Sequence, residues 1–120
     1  MAPDELPILE QTRLRDIAGD LGSAADALTF AALFLDLLPR RLRTVAAAVE
    51  AGRTDDAHVA LLSLATSAEM VGALRLEQAA RCTDRAVRAV DLPSARASVT
   101  DLRRSADAVA QALEDLLAGG

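Results

Sequence analysis

Few side chains in this sequence are equipped for chemistry. His58 is its only histidine and Cys82 its only cysteine. One of each cannot build a zinc site, and a lone cysteine forms no internal disulfide, so Cys82 reads as a small helical residue. There is no Gly-rich phosphate loop, no Cys and His at catalytic spacing and no carboxylate pair on an inward helical face; Glu69, Glu77 and Asp84 read as solvated. The expectation is a protein that is not an enzyme and that holds neither cofactor nor metal. What stands out instead is the stretch from Leu61 to Leu76, with hydroxyls at Ser63, Thr66 and Ser67, and a basic cluster at Arg40, Arg41 and Arg43.

In that stretch Ala57, Leu61, Leu64, Ala68 and Val71 recur at steps of four and three, which lays a narrow apolar stripe along one face of a helix. Gly72 closes it. Ser63, Thr66, Ser67 and Met70 fall beside or opposite the stripe, leaving a face of small residues with one Met that a partner can approach closely.

The stretch resembles the signature of histidine-containing phosphotransfer (HPt) domains, in which a helix reads His-x-Leu-Lys-Gly-(Ser/Ala)-Ala, then three residues, Gly-Ala, and a Leu three further on. Leu64, Ser67, Ala68, Gly72, Ala73 and Leu76 match. The resemblance sets the family's phosphorylated histidine on Ser63, its Lys on Ala65, and the Gly that gives a receiver domain room on Thr66. It implies a signalling module of a two-component phosphorelay that docks a response-regulator receiver domain, or a histidine kinase, without itself carrying phosphate. A phosphoserine is a stable monoester and would not hand its group on, and Ala65 supplies no cation to hold a phosphoryl group. The alternative is a structural or oligomerisation bundle that has lost receiver binding.

The docking face so implied comprises Val59, Leu62, Ser63, Thr66, Ser67 and Met70, bordered by Arg40, Arg41 and Thr44. A short Gly52-Arg53 link turns the Ser63 helix antiparallel to the one before it, and counting back equally from that turn sets Ser63 level with about Arg41. His58 does not share the position. Five residues from Ser63 correspond to about 500° of helical rotation, so it faces about 140° away and reads as a surface or boundary histidine.

The elements that must carry this face are helical. Within 120 residues, 52% are hydrophobic and 26% charged, Trp and Tyr are absent, and Phe occurs only at 30 and 34. That composition suits one all-α domain over residues 1–120. Periodicity gives four long helices with short links after a short first one, and the resemblance implies that they form an antiparallel four-helix bundle with a short N-terminal accessory helix. Every basic residue is Arg and the net charge is −5, which disfavours nucleic-acid binding. The start lacks a basic region and an apolar core, and no 18-residue apolar run follows, so no membrane span is expected and the location expected is cytoplasmic.

Along the chain, Pro3 and Pro7 favour an extended lead-in over residues 1–8. The spacing of Leu9, Leu14, Ile17 and Leu21 then predicts the accessory helix, ending near Gly19 to Gly22. Ser23 is placed to cap the next helix, which is apolar nearly all round from Leu28 to Leu38. Phe34 fills the core there, and a homodimer through Phe30, Leu33 and Leu37 competes with the accessory helix as its cover. Pro39 predicts a kink or a new helix, after which Leu42, Val45 and Val49 carry the stripe. Thr54 is expected as the cap of the Ser63 helix, with Asp55 and Asp56 in its first turn. A third bundle helix over about 73–90 turns Leu76, Ala79, Ala80, Thr83, Val87 and Val90 inward, with Glu77–Arg81 and Asp84–Arg88 as i,i+4 pairs. Pro93 opens the last helix, where Ala95, Val99, Leu102, Ala106, Val109, Leu113 and Leu116 repeat at fours and threes.

Overall fold

The computed structural model describes residues 6–21 and 24–119, leaving aside the side chains of Ile17, Asp20 and Leu21. The expectations for Met1 to Glu5, Ile17, Leu21, Gly22 and Ser23 lie outside the described residues. Five helices follow in order: α1 (Gln11–Leu21), α2 (Ala24–Glu50), α3 (Thr54–Val71), α4 (Leu74–Arg88) and α5 (Leu92–Ala118), with no strand among the described residues. Helix α2 packs on α3 and α5, and α4 closes the ring from the other side by packing on the same two; α1 lies across α2 and α3. This is the expected four-helix bundle with its accessory helix, elongated to 42 × 26 × 23 Å.

The stripes read from the sequence form its core. Ala57, Leu61, Leu64, Ala68 and Val71 from α3 are all buried. They meet Phe34, Leu38, Val45 and Val49 of α2, Leu76, Ala80 and Val87 of α4, and Ala95, Leu102, Ala106, Val109 and Leu113 of α5. Thr83 is buried on the same face of α4; its hydroxyl donates to the Ala79 carbonyl at 2.9 Å and lies 2.6 Å from Ser98 Oγ, so its polar atom is satisfied. Leu6 to Glu10 form no helix and run against the α3–α4 turn. There Glu10 N–H donates to the Gly72 carbonyl (2.7 Å) and Arg75 N–H to that of Pro7 (3.2 Å), while the Arg75 guanidinium donates to the Leu6 carbonyl.

All three links between bundle helices close by the same device. At each, one residue of the link donates to the carbonyl three residues earlier, and the next residue to the carbonyl five residues earlier. The pairs are Gly52→Val49 and Arg53→Ala48, Gly72→Glu69 and Ala73→Ala68, and Val90→Val87 and Asp91→Ala86. The geometry demands positive φ at the first of each pair, which is +71° at Gly52, +84° at Gly72 and +56° at Val90. Gly72 is required twice over, because a Cβ there would stand 2.2 Å from the Glu10 carbonyl oxygen. Val90 instead holds a β-branched side chain in the left-handed region, at a steric cost of about 1–2 kcal/mol.

Several local expectations are corrected. Val90 is not an inward residue of α4; it lies beyond the helix and is 68% exposed. Thr54 is the first residue of α3 rather than its cap, and Arg53, which precedes it, makes no side-chain cap bond. Helix α2 runs through Pro39, so of the two alternatives expected there no new helix begins. Glu77 pairs with Arg81 at 2.9 Å as expected. Asp84, however, turns away from Arg88 to meet His58 on α3, and neither Glu77 nor Asp84 is solvated, at 20% and 15% side-chain exposure.

Candidate functional site

The inward stripe of α3 fixes what its other side must present. With Leu61, Leu64 and Ala68 fully buried, helical geometry turns Val59, Leu62, Ser63, Thr66 and Met70 outward, and all five are exposed. Six large hydrophobic side chains are exposed among the described residues, and three of them, Val59, Leu62 and Met70, share this one face. Apolar surface is thus concentrated on a single helix rather than scattered. Thr66 lies in its middle, one turn from Leu62 and one from Met70.

Neighbouring helices build the rims. On the α2 side, Arg41 is half-buried and its Nη1 donates to Ser67 Oγ at 2.6 Å. Ser67 is thereby drawn to the edge of the face. Arg41 was expected level with Ser63; it reaches one turn further because helical side chains lean toward their own N-terminus, which for α2 is toward the C-terminal end of α3. Arg40 is exposed, and Thr44 uses its hydroxyl on the Arg40 carbonyl at 3.0 Å. On the α4 side, Arg81 spans to Glu69 at 3.6 Å while holding Glu77, and His58 Nδ1 lies 2.8 Å from Asp84 Oδ1. The face is thus an apolar ridge with a fixed guanidinium along one edge and fixed cross-helix pairs along the other.

Other candidates fall away from it. Cys82 is half-buried on α4, in contact with Arg85 Nη2 at 2.9 Å. Of the residues expected at a dimer contact, Leu33 is 54% exposed, whereas Phe30 and Leu37 are half-buried, Phe30 against the core. The sequence missed the His58–Asp84 pair. Its partners are 26 residues apart on different helices, and no local spacing announces them.

No family model matches the chain, and no curated protein matches its sequence. Among solved structures, it is similar to histidine-containing phosphotransfer protein B (HptB) from Pseudomonas aeruginosa PAO1, with a TM-score of 0.85 at 18% identity, over 95% of this chain and 97% of that one. The fold is the HPt bundle. Agreement of this quality over nearly the whole length of both chains fixes topology and helix lengths, while chemistry has to be read from this chain's own residues.

Within that fold the motif register needs one correction. The signature spaces its histidine two residues before the Leu, and counting back from Leu64 reaches Leu62, not Ser63. Leu62 and Ser63 are both exposed and lie about 100° apart around the helix. Leu62 is 47% exposed and offers no nucleophile at all. Ala65, at the family's Lys position, is 1% exposed and belongs to the core. The cations that border the face come from its neighbours, Arg41 of α2 on Ser67 and Arg81 of α4 on Glu69.

Proposed function

We propose that this chain is an HPt-like signalling module of a two-component phosphorelay that docks a response-regulator receiver domain on the exposed face of α3, with no phosphoacceptor at the family position. The observation that carries this reading is the exposed ridge of Val59, Leu62, Thr66 and Met70, which gathers three of the six exposed large hydrophobic side chains among the described residues on one helix. An apolar centre with a polar rim is the usual anatomy of a protein interface. Replacement of a histidine by Leu62 removes the reactive group from that centre while enlarging its apolar contact. The activity so proposed is docking, with a cytoplasmic receiver as the partner and no nucleic acid or membrane involved.

Titrating the purified protein against receiver domains encoded in the same genome tests the reading. A saturable one-to-one complex that is lost in Thr66→Arg supports it. Self-association is the second reading, favoured by the exposure of Leu33 on α2. It predicts a concentration-dependent dimer that Leu33→Glu dissolves and Thr66→Arg leaves intact.

A further inference from the structure

Correcting the register changes the standing of His58. From Leu62 it is four residues away, about 400° of rotation, so it lies only about 40° round and about 6 Å along the same flank of α3. It is also held for a purpose that a boundary histidine does not need. Nδ1 lies 2.8 Å from Asp84 Oδ1, with the Asp84 side chain 15% and the His58 side chain 37% exposed. A carboxylate only accepts, so Nδ1 carries the hydrogen; the neutral ring then keeps its lone pair on Nε2, for which no partner is found among the described residues. A histidine fixed in one tautomer by a shielded carboxylate, with its second nitrogen free, is a prepared nucleophile.

We propose that His58 Nε2 is a phosphoacceptor displaced by one helical turn from the family position. Its donor is an activated phosphoryl group, and the biological member of that class is the aspartyl phosphate of a receiver docked on α3, so the biological donor rests on the docking reading above. The Nε2 lone pair attacks phosphorus and forms the N–P bond. The P–O bond to the aspartyl carboxyl breaks, and the carboxylate leaves with the electron pair. The ring, now substituted at Nε2 and still protonated at Nδ1, carries a positive charge that the Asp84 carboxylate offsets across the existing hydrogen bond. Return of the group is the reverse displacement by the receiver's carboxylate. Asp84 acts here as a positioning residue, and His58 as the group that bonds to phosphorus.

Phosphoramidate, a small donor that needs no docking, tests the acceptor directly. The wild-type protein is expected to gain the mass of one phosphoryl group, stable to base and lost in acid, and fragmentation is expected to place it on His58. His58→Gln should abolish the gain, and Asp84→Asn should slow it about tenfold or more while the helical circular dichroism is unchanged. Absence of the gain in wild type, or its persistence in His58→Gln, overturns the proposal. Receiver binding is measured in parallel. A protein that binds a receiver but takes no phosphoryl group from phosphoramidate or from the phosphorylated receiver refutes the His58 assignment and leaves docking standing. One labelled at His58 by phosphoramidate that binds no receiver keeps the acceptor and refutes docking.

Discussion

Position 62 is where this chain departs from the HPt signature. Leu62 is exposed at the place the HPt signature gives to histidine, so that position itself carries no nucleophile. Leu62→His in a His58→Gln background is expected to fold normally, because an exposed helical site tolerates histidine with changes within about 0.5 kcal/mol. It should also acquire an acid-labile label from a phosphorylated receiver, detected by intact mass. Adding the family's lysine is a different matter. Ala65 is 1% exposed, and Ala65→Lys has to force a long charged stem into packed space, with an expected loss of about 2 kcal/mol or more in urea unfolding. Gly72 is equally constrained: Gly72→Ala meets the Glu10 carbonyl at 2.2 Å and a φ of +84°, and should lower stability by about 2 kcal/mol or more, releasing the lead-in from the α3–α4 turn.

At the scale of the element, the helices of this chain are defined by their buried stripes and ended by their turns, and the two are not equally readable. Steps of four and three predict α3 and α5 closely, because alternating apolar and polar residues leave only one face that can enter the core. Termination is harder to see. Val90 continues the α4 stripe in the sequence, yet the helix ends at Arg88 and Val90 takes the left-handed position that Gly52 and Gly72 occupy in the other two links. Periodicity carries no information about where a ladder of hydrogen bonds stops, and a valine gives no sign of the turn. The consequence is testable by thermal melting: Val90→Gly should raise stability by up to about 1 kcal/mol, since relief of the β-branched strain exceeds the entropy that glycine adds to the unfolded chain. Cross-helix polar pairs were hidden for a related reason. Glu77 and Arg81 are visible as an i,i+4 pair, whereas Asp84 has an equally good local partner in Arg88 and instead bonds His58, a choice only the packing of α3 on α4 reveals.

For the whole molecule, the bundle acts as a scaffold that holds one ridge of α3 in the open. Helices α2 and α4 cover its two flanks, α1 crosses one end, and Arg41 and Arg81 tie the edges to fixed partners. The topology and the core were legible because they repeat a pattern along the whole chain. The exposed face of α3 was legible in outline, as the side opposite the stripe, whereas the Arg41–Ser67 and His58–Asp84 contacts along its edges were not, because each joins residues 26 apart in the chain. Energy in such an interface is concentrated at its desolvated centre, where a single substitution costs on the order of 2 kcal/mol or more. Thr66 occupies that centre and Glu114 is exposed on α5.

The most direct measurement is therefore receiver affinity by calorimetry for three proteins: wild type, Thr66→Arg and Glu114→Arg, each with its melting temperature recorded. Docking on α3 predicts that Thr66→Arg weakens binding about 30-fold or more, the equivalent of about 2 kcal/mol, with its fold intact, while Glu114→Arg binds as wild type does. Equal affinity for all three proteins would contradict it.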